Sequence, residues 1–285
     1  MKAGFWVAPE GAEQIMSVLP IGTDSFDAAS GARRISLLAT GKAETLIAAC
    51  PRVRALLPQI VAALESQAQG ESGQLFDLTD FSADEILLVE QVIGDGEVAG
   101  VVALPDGIVA QIHESVMAGL WRVRFTDADS KLVADYLEVS SLPEIARRAA
   151  VTNCRPLTPG EAPAGAMNVM PLLSEIASRS AAHRPGDPAH TITFSLLPMS
   201  PEDMSHLQQR VGAGSVRLVS KGYGSCRIHS TATKNVWSVQ FFNAMDQIIL
   251  DTLEIGDPPA AACAAEEDFR DSARRLREIE EAYFA

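Results

Sequence analysis

Few side chains in this sequence have the types and spacing of a reactive site. The densest candidate is Gly222-Tyr223-Gly224-Ser225-Cys226-Arg227-Ile228-His229, where a thiol and an imidazole stand three residues apart. A nucleophilic Cys226 would need a base such as His229 within hydrogen-bonding reach. Gly-Tyr-Gly, however, reads as a tight hairpin feeding a strand, and side chains three apart on a strand point to opposite faces. That spacing works against a catalytic dyad. As a metal half-site the pair supplies two of the four ligands that zinc takes.

Other candidates come in duplicate, at a constant shift of 116 residues. His113 matches His229, Trp121 matches Trp237, and Asp135 with Glu138 matches Asp251 with Glu254. Paired carboxylates can do acid–base work, but this spacing again alternates strand faces. Ion pairs or caps to backbone N–H groups, hydrogen-bonding histidines and core tryptophans are the structural expectations. Cys50, Cys154, Cys226 and Cys263 form no C-x-x-C pair, so zinc, iron–sulfur and thioredoxin-type chemistry lack a local signature. Glycine-rich phosphate loops, G-x-S-x-G and H-E-x-x-H are absent from the sequence. The expectation is no catalytic residue, no metal ligand and no cofactor.

The duplication organises the chain. Residues 112–143 align without a gap on 228–259, with 10 identities in 32 positions, against roughly two expected by chance. Upstream the shift becomes 118, carrying Phe76-Asp77-Leu78 onto Phe194-Ser195-Leu196 and Gly94-Asp95-Gly96 onto Gly212-Ala213-Gly214. One fold copied within one chain follows.

Each copy opens with an alternating strand around Phe76 or Ile192. A helix follows, started by Ser82-Ala83-Asp84-Glu85 or Ser200-Pro201-Glu202-Asp203, where serine caps and acids complement the helix dipole. Four strands come next: 98–104, 108–113, 120–125 and 132–139 in the first copy; 216–220, 225–231, 236–242 and 247–255 in the second. Their short connections favour antiparallel pairing. Helices are expected over 52–69, 167–182 and 264–283. The fold class is therefore α+β, two tandem homologous modules, each a mostly antiparallel sheet of about five strands with helices on one face. The expected domains are an extended segment 1–50, a first module 51–150, a Pro/Gly-rich linker 151–166 and a second module 167–285 that includes the terminal helix. Whether the modules share a sheet is left open.

Net charge is −14, with 37 acidic against 23 basic residues. Such a surface repels phosphate backbones and anionic lipid, so nucleic acid is not an expected partner. The sequence has neither an 18-residue apolar run nor a basic-then-apolar leader, so no membrane insertion and no secretion are expected.

One further signal is a resemblance. The run from Gly222 to Ile228, then Ser230-Thr231, Asn235-Val236-Trp237-Ser238-Val239-Gln240-Phe241-Phe242-Asn243 and Ile249-Leu250-Asp251-Thr252-Leu253-Glu254-Ile255 resembles the HupH/HyaF/HoxQ family. These are accessory proteins for maturation of uptake [NiFe]-hydrogenases. Ala265-Glu266-Glu267-Asp268 and the helix from Asn168 to Ile176 fit the same family. The resemblance implies a cytoplasmic, non-enzymatic chaperone or scaffold that binds the immature iron–sulfur small subunit before export, beside a thioredoxin-like companion. The alternative is a redox or cluster-delivery factor using Cys226. Because the motif is densest in the second module, the expected partner surface there is Tyr223, Cys226, Arg227, Trp237 and Asn243.

Overall fold

The computed structural model describes residues 42–284, apart from 69, 153 and 222–224. Of the segment 1–50 read as extended, most lies outside the described residues. Its last part is instead helix α1 (Lys42–Ala49), whose Leu46 and Ile47 pack against a buried core. Burial of those two side chains decides a stretch in which no period stood out.

After α1 come α2 (Pro51–Ser66), β1 (Gln74–Asp77) and α3 (Ala83–Ile93). Then follow β2 (Val98–Ala103), β3 (Val109–Glu114), β4 (Leu120–Thr126) and β5 (Leu132–Val139). Helices α4 (Glu144–Val151) and α5 (Val169–Ala182) bridge to β6 (His190–Thr193) and α6 (Pro201–Val211). The chain continues as β7 (Ala213–Ser220), β8 (Ser225–Thr231), β9 (Val236–Phe242), β10 (Ile248–Ile255) and α7 (Glu266–Tyr283).

The two modules share one sheet. Its ten strands run β1-β5-β4-β3-β2-β7-β8-β9-β10-β6, antiparallel throughout. The join is β2 against β7, and its register is self-complementary. Val98 faces Ser220, Gly100 faces Leu218 and Val102 faces Val216. The repeat shift of 118 carries Val98 to Val216, Gly100 to Leu218 and Val102 to Ser220. The two copies therefore meet about a local two-fold axis through Gly100 and Leu218, as the subunits of an isologous dimer do. Gly100 permits the approach: a Cβ there would stand 2.4 Å from the Arg217 carbonyl oxygen and 2.5 Å from a Leu218 methyl.

Alternation divides the sheet into a front and a back. On the front, α2, α3 and α7 cover the β1-β5-β4 end through Leu120, Leu137 and Val139, while α5 and α6 cover the other end through Val236, Leu253 and Ile255. On the back, Val102, Ile112, Trp121, Val123, Leu218, Ile228, Trp237 and Val239 form one core running across both copies, capped by Ala146, Ala149 and Ala150 of α4. Helix α4 thus lies on the face opposite the other long helices.

Helix α7 follows the second copy in sequence but packs on the first. Its stripe of Phe269, Ala273 and Leu276 enters the core of α2 and α3. The Ser272 hydroxyl donates to the Ala118 carbonyl (2.9 Å), and the Arg275 guanidinium donates to the Val116 carbonyl (2.9 Å). Gly119 (φ +84°) lies under Phe269, where a Cβ would come within 2.4 Å of the ring. At the matching place in the second copy the chain is extended instead. Leu157 enters the α5–α6 core, and the Arg155 N–H donates to the Ala232 carbonyl (2.9 Å).

Candidate partner-binding surface

Both sequence-level capping signals are realised. Ser82 and Ser200 accept from the backbone N–H groups of Glu85 and Asp203, whose carboxylates return the bond. The two acids occupy equivalent positions, yet each ties down the preceding helix differently. Glu85 pairs with Arg52 at the start of α2, whose guanidinium also lies 4.5 Å over the Phe81 ring. Asp203 accepts from the N–H groups of Met167, Asn168 and Val169 at the start of α5, at 2.8, 3.1 and 3.1 Å. Burial alone would raise the Asp203 pKa; those backbone donors outweigh it and hold the group below its ordinary value.

Three of the four duplicated acids hold neighbouring groups in the fold. Asp135 takes two bonds from Arg122, at 2.6 and 3.0 Å, and Glu138, fully buried on the back, accepts from the Glu144 N–H (2.7 Å) at the start of α4. Asp251 accepts from the Gln240 amide at 3.3 Å. Burial raises the pKa of both Glu138 and Glu254. Trp121, fully buried, donates its indole N–H to the Ser140 carbonyl at 2.9 Å.

Cys226 and His229 lie on opposite faces of β8. Cys226 is buried in the back core, and burial, with Glu254 nearby, pushes its thiol up to about 12. A thiol so far from ionisation is a poor nucleophile at neutral pH. His229 lies on the front, pushed down to about 4 by burial and by Arg217 and Arg227. His113 lies at the equivalent front position, also lowered chiefly by burial. Hydrogen bonding does not account for both histidines: among the described residues His113 has no hydrogen-bond partner, so the pair shares a position rather than a bonding role. Among the described residues no three His, Cys, Asp or Glu side chains converge as a metal site would require.

Of the five residues expected at a partner surface, Cys226 and Trp237 are buried in the back core, with Trp237 only 3% exposed. Apolar runs with aromatic content look alike to sequence reasoning whether they face a core or a partner. Tyr223 lies outside the described residues. Arg227 and Asn243 come together at the tip of the β9–β10 hairpin. The Asn243 side chain accepts from the N–H groups of Met245 (2.9 Å) and Gln247 (3.0 Å), and Asp246 takes φ 55° to close the turn. Arg227 reaches across to Asp246 (3.1 Å) while its guanidinium sits 4.2 Å over the Phe242 ring.

This braced tip carries exposed apolar side chains that the sequence reading did not single out. Met245 is 73% exposed, Ile249 64%, and Leu196, in the turn after β6 that packs along β10, 81%. Ile248 and Leu250 are more than a third exposed. A grouping of large apolar side chains on a rigid polar frame is the form that protein-docking surfaces take. The clue available in the sequence was Ile248-Ile249-Leu250, three consecutive apolar residues where alternation would place a polar one.

Among the described residues, no helix is long and apolar enough to cross a membrane. The family model described as "HupH hydrogenase expression protein, C-terminal conserved region" matches residues 51–153 and again 166–283. The hydrogenase expression/formation protein HupH of Rhizobium leguminosarum bv. viciae is 57% identical over 284 residues, all of both chains. HoxQ of Azotobacter vinelandii, also named as a hydrogenase expression/formation protein, is 43% identical over 81% of this chain and 82% of its own. The hydrogenase-1 operon protein HyaF of Escherichia coli is 32% identical over 80% of each. A solved structure of the hydrogenase expression protein HupH from Thiobacillus denitrificans is 27% identical over 41% of this chain and 98% of its own, with a TM-score of 0.37.

Proposed function

This chain belongs to the HupH hydrogenase expression protein family, and from that premise we propose that it is a non-catalytic accessory protein in the maturation of an uptake [NiFe]-hydrogenase. The carrying observation is the full-length identity to a protein named for hydrogenase expression and formation. In this reading it works in the cytoplasm, beside a thioredoxin-like companion, and holds the immature iron–sulfur small subunit before export. The contact surface is the β9–β10 tip: Arg227 and Asn243 as the frame, with Met245, Ile249 and Leu196 as the apolar contact. The net charge of −14 would speed encounter with a basic precursor. The buried, hard-to-ionise Cys226 does not favour redox or cluster delivery.

The test is capture of a tagged small-subunit precursor from cells by the full chain. Ile249→Asp and Met245→Asp together should abolish capture while leaving the circular dichroism spectrum unchanged, and Cys226→Ser should leave hydrogenase activity intact. Undiminished capture by the double variant would reject this surface. Loss of activity in a folded Cys226→Ser protein would favour the redox alternative.

A further inference from the structure

We propose that the centre of the sheet's front face, between the two helical lobes, binds an extended acidic polypeptide segment. Among the described residues, the covering helices reach inward only to β4 and β9 in their buried cores. Across the gap, register aligns two rows of side chains on the front. One runs Arg124, Gln111, Val101, Arg217, His229; the other runs Arg122, His113, Ala99, Val219, Arg227. Among the described residues, strands β2, β3, β4, β7, β8 and β9 thus present four arginines and two histidines on this face and no Asp or Glu. In a chain with 37 acidic and 23 basic residues, that is a local reversal of sign.

The acids bordering this floor are Asp135, Glu90, Asp95, Asp246 and, next to Gln240 on β10, Asp251, and they do not neutralise it evenly. Arg122 is held by Asp135 and Glu90, and Arg227 by Asp246. Arg124 meets Asp135 only at 3.9 Å, and its buried Nε has no hydrogen-bond partner. Arg217 is partly buried, and among the described residues no carboxylate lies within 4.0 Å of it. Desolvating a guanidinium without a counter-charge is costly, which bears on the partly buried Arg217; Arg124 keeps 42% of its side chain exposed, so its guanidinium is open to an anion from outside. The floor is positive enough to be felt by its neighbours. Burial first, then Arg217 and Arg227, keep His229 neutral, and Arg122 and Arg124 act in the same sense on His113 against Asp95.

Arg124 and Arg217 are three strand spacings apart, about 14 Å. An extended chain covers that span in about four residues, so carboxylates spaced four apart would reach both guanidiniums in fork geometry. The strip between them, Ala99, Val101 and Val219, is apolar and small; Ala99 and Val219 are partly exposed, and Val101 is buried. A long polyphosphate would meet the acidic remainder of the surface and be repelled.

This inference does not depend on the hydrogenase reading, and its test uses the protein alone. A fluorescent peptide of about twelve residues, with glutamate at every fourth position in a Ser/Ala background, is titrated by anisotropy beside its lysine counterpart and a single-stranded oligothymidylate of similar length. Selective, salt-weakened binding of the glutamate peptide is expected. Arg217→Gln and Arg124→Gln, each checked for an unchanged melting temperature, should lower that affinity by about tenfold, while Lys234→Gln should leave it unchanged. Equal binding of both peptides, preferential binding of the oligonucleotide, or indifference to both arginine substitutions would each overturn the proposal. Should either arginine variant fail to fold, Arg217→Lys takes its place and is expected to retain charge but lose the fork, weakening binding by less.

Discussion

The two copies share a fold but close it differently. The first copy's front core is completed by an amphipathic helix lent from the far end of the chain, through Phe269, Ala273 and Leu276. Among the described residues, the second has an extended, proline-bearing strap at the matching place, through Leu157 and Arg155. The hairpin tips diverge in the same direction. Asp127 and Asn243 make the same turn, each accepting two backbone N–H bonds, and Ser130 and Asp246 both take positive φ. Beyond the turn, Lys131 in the first copy becomes Gln247 in the second. Lysine beside an apolar edge discourages pairing with other chains. The copy that lost that guard also shows the more exposed apolar tip. Duplication gives the two halves different features: one receives the clasp, the other carries the exposed apolar tip proposed as the contact surface.

The largest expected effect tests the clasp. Phe269→Ala should cost about 3–5 kcal/mol in urea denaturation, whereas Thr158→Ala in the strap should cost about 1 kcal/mol or less. Similar costs for the two would erase the asymmetry. Next come the equivalent capping acids. Asp203→Asn should cost about 2–3 kcal/mol, because one buried carboxylate serves the starts of two helices. Glu85→Gln should cost less, its partner Arg52 being half exposed. The Asp203 contribution should be present above the ordinary carboxylate pKa and fade as pH falls through its depressed value.

A third comparison sets Glu114 against Ser230, its equivalent. Burial, reinforced by Asp268 and Glu97 and opposed by the Gly119 N–H, pushes Glu114 up to about 7. Its folded pKa lies above its unfolded one, so ionisation works against the fold. Stability should decline as pH rises from about 4.5 to about 7 and then level off. Glu114→Gln, which keeps an acceptor for Gly119, should remove that slope and gain up to about 3 kcal/mol at pH 8. Ser230, which accepts from the Val216 N–H at 3.0 Å, adds no such slope. The smallest effect is on stability at the tip itself. Ile249→Asp should shift it by within about 0.5 kcal/mol, as for surface positions generally, and report only through loss of partner capture.

Much of this was legible in the sequence. β5, β8 and β9 follow the expected bounds, and both serine caps form, because alternation and capping are local properties. What pairs with what was not. The β2–β7 junction joins residues more than a hundred positions apart, and alternation fixes a strand's faces without naming its neighbour. Helix α7 read as an amphipathic stripe belonging to the second copy, since a stripe records that a face is buried and not by which core. Of the residues that motif density singled out, Arg227 and Asn243 lie at the hairpin tip and Cys226 and Trp237 are core, whereas the exposed Met245, Ile249 and Leu196 were not singled out. Their exposure follows from the hairpin's position at the sheet margin, which only the assembled sheet reveals.

The borrowed clasp has a consequence for synthesis. Translation delivers the α2–α3 region early and α7 late, so the first copy must wait on the ribosome with Gly119, Leu64 and their neighbours uncapped until residues 266–283 emerge. The second copy has its strap in hand before its strands are made. In this polypeptide the half that is born first is the half that finishes last.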